Sequence, residues 1–297
     1  MLAIVIPYYK KMFFKNCLQS LANQTDKRFH VYIGDDASPE DPIDIIEDYK
    51  GQIELTYKKF SENIGGLSLV KQWERCINLT KGEKWVTILG DDDVYDTAVV
   101  ENFYTNLEKI KREGLKVVRF ATYVLNDENK IIGSLYHHPE KELAADFLIR
   151  KFREGTRSTL SEYFFKTDVV RRVKFKDFPL AWTSDTLGVV EFSEDNYIYT
   201  INTAAIGFRI SEYNITGQGD SVQKNEAWFR FYEYLIKNYG KQYPLELLDM
   251  LLDRLEKVQL NNKKTPLRWC KMIYLYCKTN QFSRLFTIGT KIIKSIQ

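Results

Sequence analysis

The sequence predicts an α/β protein with a Rossmann-like, mostly parallel central sheet flanked by helices and a helical C-terminal extension. Three observations lead there. Over the first 125 residues, short β-branched or apolar runs alternate with helix-period patterns, as in repeated βαβ units. Two acidic clusters, Asp35-Asp36 and Asp91-Asp92-Asp93, come directly after predicted strands, at the carboxyl ends where open α/β sheets bind ligands. After Gly219 the alternation gives way to helical patterning that runs to the end of the chain.

Taken in order, LAIVIP (2–7) reads as a strand stopped by Pro7, and 13–23 as a helix turning Leu18 and Leu21 inward. RFHVYIGDD carries a second strand to Asp35 and Asp36, and a helix follows over about 42–49. IELTYK (53–58) is a third strand. The SENIGG turn (61–66) opens a helix whose Leu67, Val70, Trp73 and Ile77 repeat at helical spacing. KWVTIL (84–89) is a fourth strand and runs straight into the three aspartates. Asp96 is the expected N-cap of a long helix over 97–113, after which VVRFATYVL (117–125) returns as a strand. Beyond 125 the pattern is mixed: a turn at NDENK (126–130), strands near 163–166 and 198–211, and a helix starting near Thr183. The expected division is a catalytic domain over 1–218, with halves meeting near 125, and a basic helical region over 219–297.

Composition limits the class. With 43 basic and 40 acidic residues, 44% apolar and 14% aromatic content, the chain is globular, and no nucleic-acid partner is expected. No run reaches the roughly 18 apolar residues of a spanning helix, and the N-terminal stretch lacks the pattern of a signal peptide, so a cytoplasmic location is expected. Cys17, Cys76, Cys270 and Cys277 show no metal-ligand spacing and read as reduced, packed thiols. The pair His137-His138, before Pro139, reads as surface histidines. Asn214-Ile215-Thr216 spells a glycosylation sequon that a cytosolic chain would leave unmodified.

The aspartate run carries the chemistry. Three carboxylates behind an apolar strand either form a solvated helix-leading loop or await a hard cation, and Mg²⁺ or Mn²⁺ suits one or two carboxylates together with substrate phosphates. No GxxxxGK[ST] loop and no GxGxxG after the first strand are present, which removes the main signals of P-loop hydrolases and nicotinamide enzymes.

IVIPYY (4–9), IGDDAS (33–38), the ENIGG turn, TKGEKWVTILGDDDVY (80–95) and the later Ser184-Asp185 pair, in this order, resemble the inverting family 2 glycosyltransferases of GT-A fold. The resemblance covers about 1–215. It implies that Pro7 and Tyr9 lie beside the nucleoside, that Asp36 bonds the uracil and that Asp91 faces the ribose or the metal. It also implies that Asp92 and Asp93 ligate Mn²⁺ or Mg²⁺. Gly90 stands where many members have the first aspartate. Asp185, in WTSDTLG, is the implied base on the acceptor hydroxyl, where an Asp in a helix's first turn otherwise only favours the dipole. Arg209 could reach the diphosphate or make a surface salt bridge, and Trp182 could stack on a sugar while Trp73 belongs to the core. The implied partners are a nucleotide-sugar donor, taken as a UDP-sugar, and a polysaccharide or lipid-linked glycan acceptor. A metal-dependent nucleotidyltransferase and a catalytically silent sugar-nucleotide-binding module are the competing readings.

The last segment, 257–297, holds nine Lys or Arg and no Asp or Glu, against +3 for the whole chain. Trp269, Met272, Ile273 and Tyr276 share one helical face and Leu285, Ile288, Ile292 and Ile296 another. Either two helices pack on the catalytic domain, or the segment attaches peripherally to an anionic inner leaflet.

Overall fold

The computed structural model describes residues 1–153, 155–211, 221–261 and 265–296, with 291–296 by their backbone alone. The first half follows the predicted alternation: β1 (Leu2–Tyr8), α1 (Phe14–Ala22), β2 (Phe29–Asp35), α2 (Ile43–Tyr49), β3 (Leu55–Lys59), α3 (Leu69–Ile77) and β4 (Trp85–Ile88). Then come the short β5 (Val94–Tyr95), α4 (Val99–Arg112) and β6 (Val117–Leu125). The second half contains β7 (Ile131–Tyr136), β8 (Lys141–Leu143), α5 (Ala144–Phe152), β9 (Tyr163–Lys166), α6 (Thr167–Val173), α7 (Ser184–Phe192) and β10 (Tyr197–Arg209). Four helices complete the chain: α8 (Val222–Tyr239), α9 (Leu245–Asn261), α10 (Pro266–Lys278) and α11 (Phe282–Ile296).

One sheet runs in the order β3-β2-β1-β4-β9-β6-β10-β5, with β7 added beside β6 and β8 beside β10. β1, β2, β3 and β4 are parallel, whereas β9 enters antiparallel between β4 and β6 and makes the sheet mixed. Along β1, Ala3 and Val5 pack into one core while Leu2, Ile4 and Ile6 pack into the other. A strand buried on both faces has to be apolar throughout, which is why LAIVIPY reads as a continuous run.

Several expectations are corrected. Asp96 does not cap α4, which begins at Val99 after Ala98; its carboxylate accepts the Tyr123 hydroxyl (3.0 Å) and the Ala205 amide (3.1 Å), tying the loop to β6 and β10. Leu67 precedes α3 and is 93% exposed, and Ser68 caps that helix by accepting the Lys71 amide at 3.1 Å. His138 is buried, with Nδ1 3.1 Å from both an Arg150 guanidinium nitrogen and the Thr156 hydroxyl, and burial pushes its imidazole down into the neutral form. Cys17 and Cys76 are packed thiols, but Cys270 and Cys277 are exposed. The sequon 214–216 and the boundary at 218/219 lie outside the described residues.

The C-terminal helices join the core on one face of the sheet: Phe231, Leu251, Leu255, Met272 and Tyr276 belong to the same apolar cluster as Val5 and Phe165. Ile273, expected on the buried face of α10, is 38% exposed instead. The charge asymmetry of the sequence is partly internal, since Arg268 pairs with Glu226, Lys271 with Glu233, and Arg284 with Asp249, Asp253 and Glu256. No helix of the described residues is long and apolar enough to cross a membrane.

Candidate active site

A cavity of about 770 Å³ opens at the carboxyl ends of β1, β2 and β4. Its wall includes Pro7, Tyr9, Asp36, Asp91, Asp92, Asp93 and Asp185, so residues from four distant stretches of the sequence meet at one place. Trp73 and Trp182 border it as well, and α8 adds Trp228, 6.4 Å from Trp182 in an edge-to-face contact.

The end of β1 is bound to the acidic loop, because the Tyr9 and Lys10 amides donate to one oxygen of Asp91 at 2.8 and 2.9 Å. Asp36 accepts the Ile64 and Gly65 amides, both at 2.9 Å, and pairs with Arg75, whose guanidinium lies 3.9 Å over the Phe60 ring. The ENIGG turn is glycine-bearing for a steric reason: a Cβ on Gly65 would sit 2.3 Å from an Asp36 carboxylate oxygen. Burial pushes the Asp36 carboxyl up, against the pull of these donors. Asp35 instead makes a local turn, accepting the Ser38 amide at 2.7 Å, and also accepts the Tyr57 hydroxyl at 2.6 Å.

Asp93 is held from two sides, by the Arg209 amide at 2.9 Å and the Ser161 hydroxyl at 2.5 Å. Ser161 also accepts the Gly90 amide at 3.1 Å, which fixes both ends of the loop. A Cβ at position 90 would lie 3.0 Å from oxygens of both Asp92 and Asp93, so a fourth acidic side chain there would crowd these two. Burial, then the neighbouring Asp92 charge, pushes Asp91 up to about 7 and Asp93 up to about 8. Unfavourable negative charge of this kind is what a cation offsets. Among the described residues no three His, Cys, Asp or Glu side chains form a protein-only metal cage. The donor set fits a hard divalent cation held by one or two carboxylates and completed by phosphate oxygens.

Arg209 is neither a surface residue nor part of the cavity wall. It is fully buried, donates to the Asp92 and Asn126 carbonyls (2.9 and 2.6 Å) and to Asn129 (2.7 Å), and stacks over Phe13 at 4.0 Å. Its visible work is to shape the aspartate loop from behind.

Asp185 sits in the first turn of α7, with its carboxyl pushed up by burial and drawn back by the Lys151 charge. The backbone before it is strained: Leu180, Ala181 and Thr183, none of them glycine, take φ of 59°, 51° and 70°, and all three border the cavity. Such conformations cost about 1–3 kcal/mol each and gather at functional sites. Sequence reasoning missed Arg75, Ser161, Lys151, Arg157 and Trp228. Of these only Ser161 had a local signal, Thr159-Leu-Ser-Glu162, which spells the capping box found there.

The architecture defined by this sheet, its acidic loop and the helical cover is the GT-A fold. The Staphylococcus aureus TarS fragment 1-349 in complex with UDP-GlcNAc superposes with a TM-score of 0.68 at 15% identity, covering 99% of this chain and 88% of that one. Mannosyltransferase PcManGT from Pyrobaculum calidifontis in complex with GDP-Man and Mn²⁺ gives 0.52 at 12% identity, covering 97% and 79%. At such identities the likeness is one of fold. Residues 3–176 match Glycosyl transferase family 2, and the chain belongs to that family. Glycosyltransferase GlyG of Streptococcus pneumoniae serotype 4 is 22% identical over 143 residues, 48% of this chain and 41% of that protein. An uncharacterized glycosyltransferase of Mycoplasma genitalium is 28% identical over 118 residues, 38% of this chain and 39% of that one. The matched segments therefore span about two fifths of each of these relatives.

Proposed function

We propose that this chain is a metal-dependent inverting glycosyltransferase that moves a sugar from a nucleotide diphosphate, UDP foremost, to a hydroxyl of a polysaccharide or lipid-linked oligosaccharide. The observation that carries the reading is the single cavity bordered both by Asp36 with Asp91, Asp92 and Asp93 and by Asp185. Support comes from the fold neighbours, whose structures hold UDP-GlcNAc, UDP, or GDP-Man with Mn²⁺.

Pro7 and Tyr9 flank the nucleoside and Asp36 accepts a hydrogen bond from the base. Asp91, fixed by the Tyr9 and Lys10 amides, faces the ribose, while Asp92 and Asp93 hold the cation. When bound, Mn²⁺ or Mg²⁺ supplies positive charge to the diphosphate as it departs. Asp185 takes the proton of the acceptor hydroxyl while the new bond forms at the anomeric carbon and the bond to the diphosphate breaks. Burial raises the proton affinity of this carboxylate, as a base requires, and the Lys151 charge opposes that rise.

Asp185→Asn tests this assignment. Binding of UDP with Mn²⁺, measured by calorimetry, is expected to stay within about twofold, while release of UDP from a UDP-sugar in the presence of acceptor falls by about 10²–10⁴. Transfer at the wild-type rate would remove Asp185 from the mechanism, and pyrophosphate release from a nucleoside triphosphate would favour a nucleotidyltransferase. A peripheral contact of 257–297 with an anionic inner leaflet belongs to the same proposal. It rests on exposed Leu267, Tyr274, Phe282 and Phe286 in a basic segment. Failure to float with anionic vesicles at low salt would eliminate that contact.

A further inference from the structure

We propose that the acceptor is itself anionic, and that Lys151 and Arg157 form the subsite that receives its phosphate or carboxylate beside Asp185. The proposal rests on the transferase reading of the cavity and on Asp185 as its base. Lys151 lies in the last turn of α5 and Arg157 in the loop that follows, and both side chains border the cavity.

What distinguishes these two cations is the lack of a counter-ion in contact. Nearby Arg119 and Arg150 both pair with Glu142, at 2.9 and 2.7 Å, and Arg75 pairs with Asp36. Among the described residues, neither Lys151 nor Arg157 has a carboxylate within ion-pair distance. Asp185 and Glu162 act on Lys151 only through space, and Glu162 and Asp93 act likewise on Arg157. Glu162 is a weak neutraliser, because burial pushes its own carboxyl up to about 7. Desolvation penalises the charged form of both cations, a cost that an arriving anion would offset.

Arg157 is also held in place, with its guanidinium 4.8 Å over the Phe208 ring, another residue of the cavity wall. A planar fork fixed on an aromatic face suits the oxygens of a phosphate or carboxylate. The assignment to the acceptor rests on Lys151, which lies within electrostatic reach of Asp185, where the accepting hydroxyl must sit; Arg157 also feels Asp93 and so lies between the acceptor side and the aspartate loop. Donor phosphates instead meet the cation at the aspartate loop.

Calorimetry on the full chain tests this, with sn-glycerol 3-phosphate and glycerol as probes, each with and without UDP and Mn²⁺. Glycerol 3-phosphate is expected to bind and glycerol not. Lys151→Met and Arg157→Gln should each weaken the phosphate probe by about tenfold or more, the loss of one charge-assisted contact. Lys151→Arg should retain it, and all variants should bind UDP with Mn²⁺ as the wild type does. Equal binding of the two probes, or phosphate affinity unchanged in both Lys151→Met and Arg157→Gln, overturns the subsite. Weakened UDP binding in those variants, with the phosphate probe unaffected, would give the cations to the donor and overturn it equally. A wild type that binds the phosphate probe but no UDP contradicts the transferase reading instead, so the two failures are told apart.

Discussion

Arg75→Met should expose how the nucleotide side of the cavity is held together. In the Asp36–Arg75 pair the side chains are 6% and 18% exposed, so removing the cation leaves a carboxylate buried with only the Ile64 and Gly65 amides to satisfy it. Breaking a buried pair by removing one partner costs about 3–5 kcal/mol, and the two surviving amide donors place this case near the lower end, about 3 kcal/mol. For domains of 150–250 residues each kcal/mol shifts Tm by about 2–4 °C, which makes the expected loss about 6–12 °C.

The pH dependence separates this cost from lost packing. Burial already raises the Asp36 carboxyl in the wild type while Arg75 lowers it, so removing Arg75 raises it further. A carboxyl whose folded pKa lies above its unfolded value contributes stability at low pH that is lost as pH rises through the folded pKa. Denaturant unfolding should therefore show a larger deficit for Arg75→Met at pH 8 than at pH 5, by about 1–2 kcal/mol. The contacts with the Phe60 ring, Gln72 and the Glu62 carbonyl are lost at either pH, so they do not contribute to the difference. In an Asp36→Asn background the substitution should cost far less. Equal deficits at both pH values, or single-variant losses that add to within about 0.5 kcal/mol, would refute the reasoning.

Glu162→Gln should flatten the stability–pH profile. A buried carboxyl raised from 4.5 to about 7 costs at most about 3 kcal/mol as pH climbs through that window, and denaturation midpoints across pH 5–8 would show whether the slope disappears. Gly188→Ala should destabilise by about 1–3 kcal/mol, because its Cβ would sit 2.7 Å from the Phe175 ring inside a packed aromatic cluster; an unchanged Tm would mean the ring moves freely.

The first half of the fold was legible because β1, β2, β4 and β6 are buried along nearly their whole length and read as largely apolar runs, whereas the edge strand β3, LTYKK, is only half-buried. β9 was visible as a strand but its direction was not, since YFFK pairs equally well either way and only its neighbours β4 and β6 decide. β5 has two residues, and β8 has three with its outer ones exposed, so neither carries a periodic signal. The aspartate loop could be read as a site from its place after β4, but the reason for Gly90 could not, because it depends on where the Asp92 and Asp93 oxygens lie. Arg209 illustrates the limit most sharply. An arginine at a strand end has no local mark of burial, and only the carbonyls of Asp92 and Asn126 make it an interior scaffold. The basic tail likewise acquires part of its meaning from α8 and α9, whose acidic residues lie far away in sequence.

The central claim is that the aspartate loop forms a metal–diphosphate site through Asp92 and Asp93, and thermal unfolding tests it most directly. Wild type and Asp92→Asn would be melted with UDP, GDP or CMP, each with and without Mn²⁺. A ligand at about 100 times its Kd adds roughly 2.7 kcal/mol, a rise of at least several degrees. The account predicts that UDP with Mn²⁺ raises the Tm of the wild type, that UDP alone does so far less, and that Asp92→Asn loses the metal-dependent part. No nucleotide response in the wild type, or an undiminished one in Asp92→Asn, would contradict it.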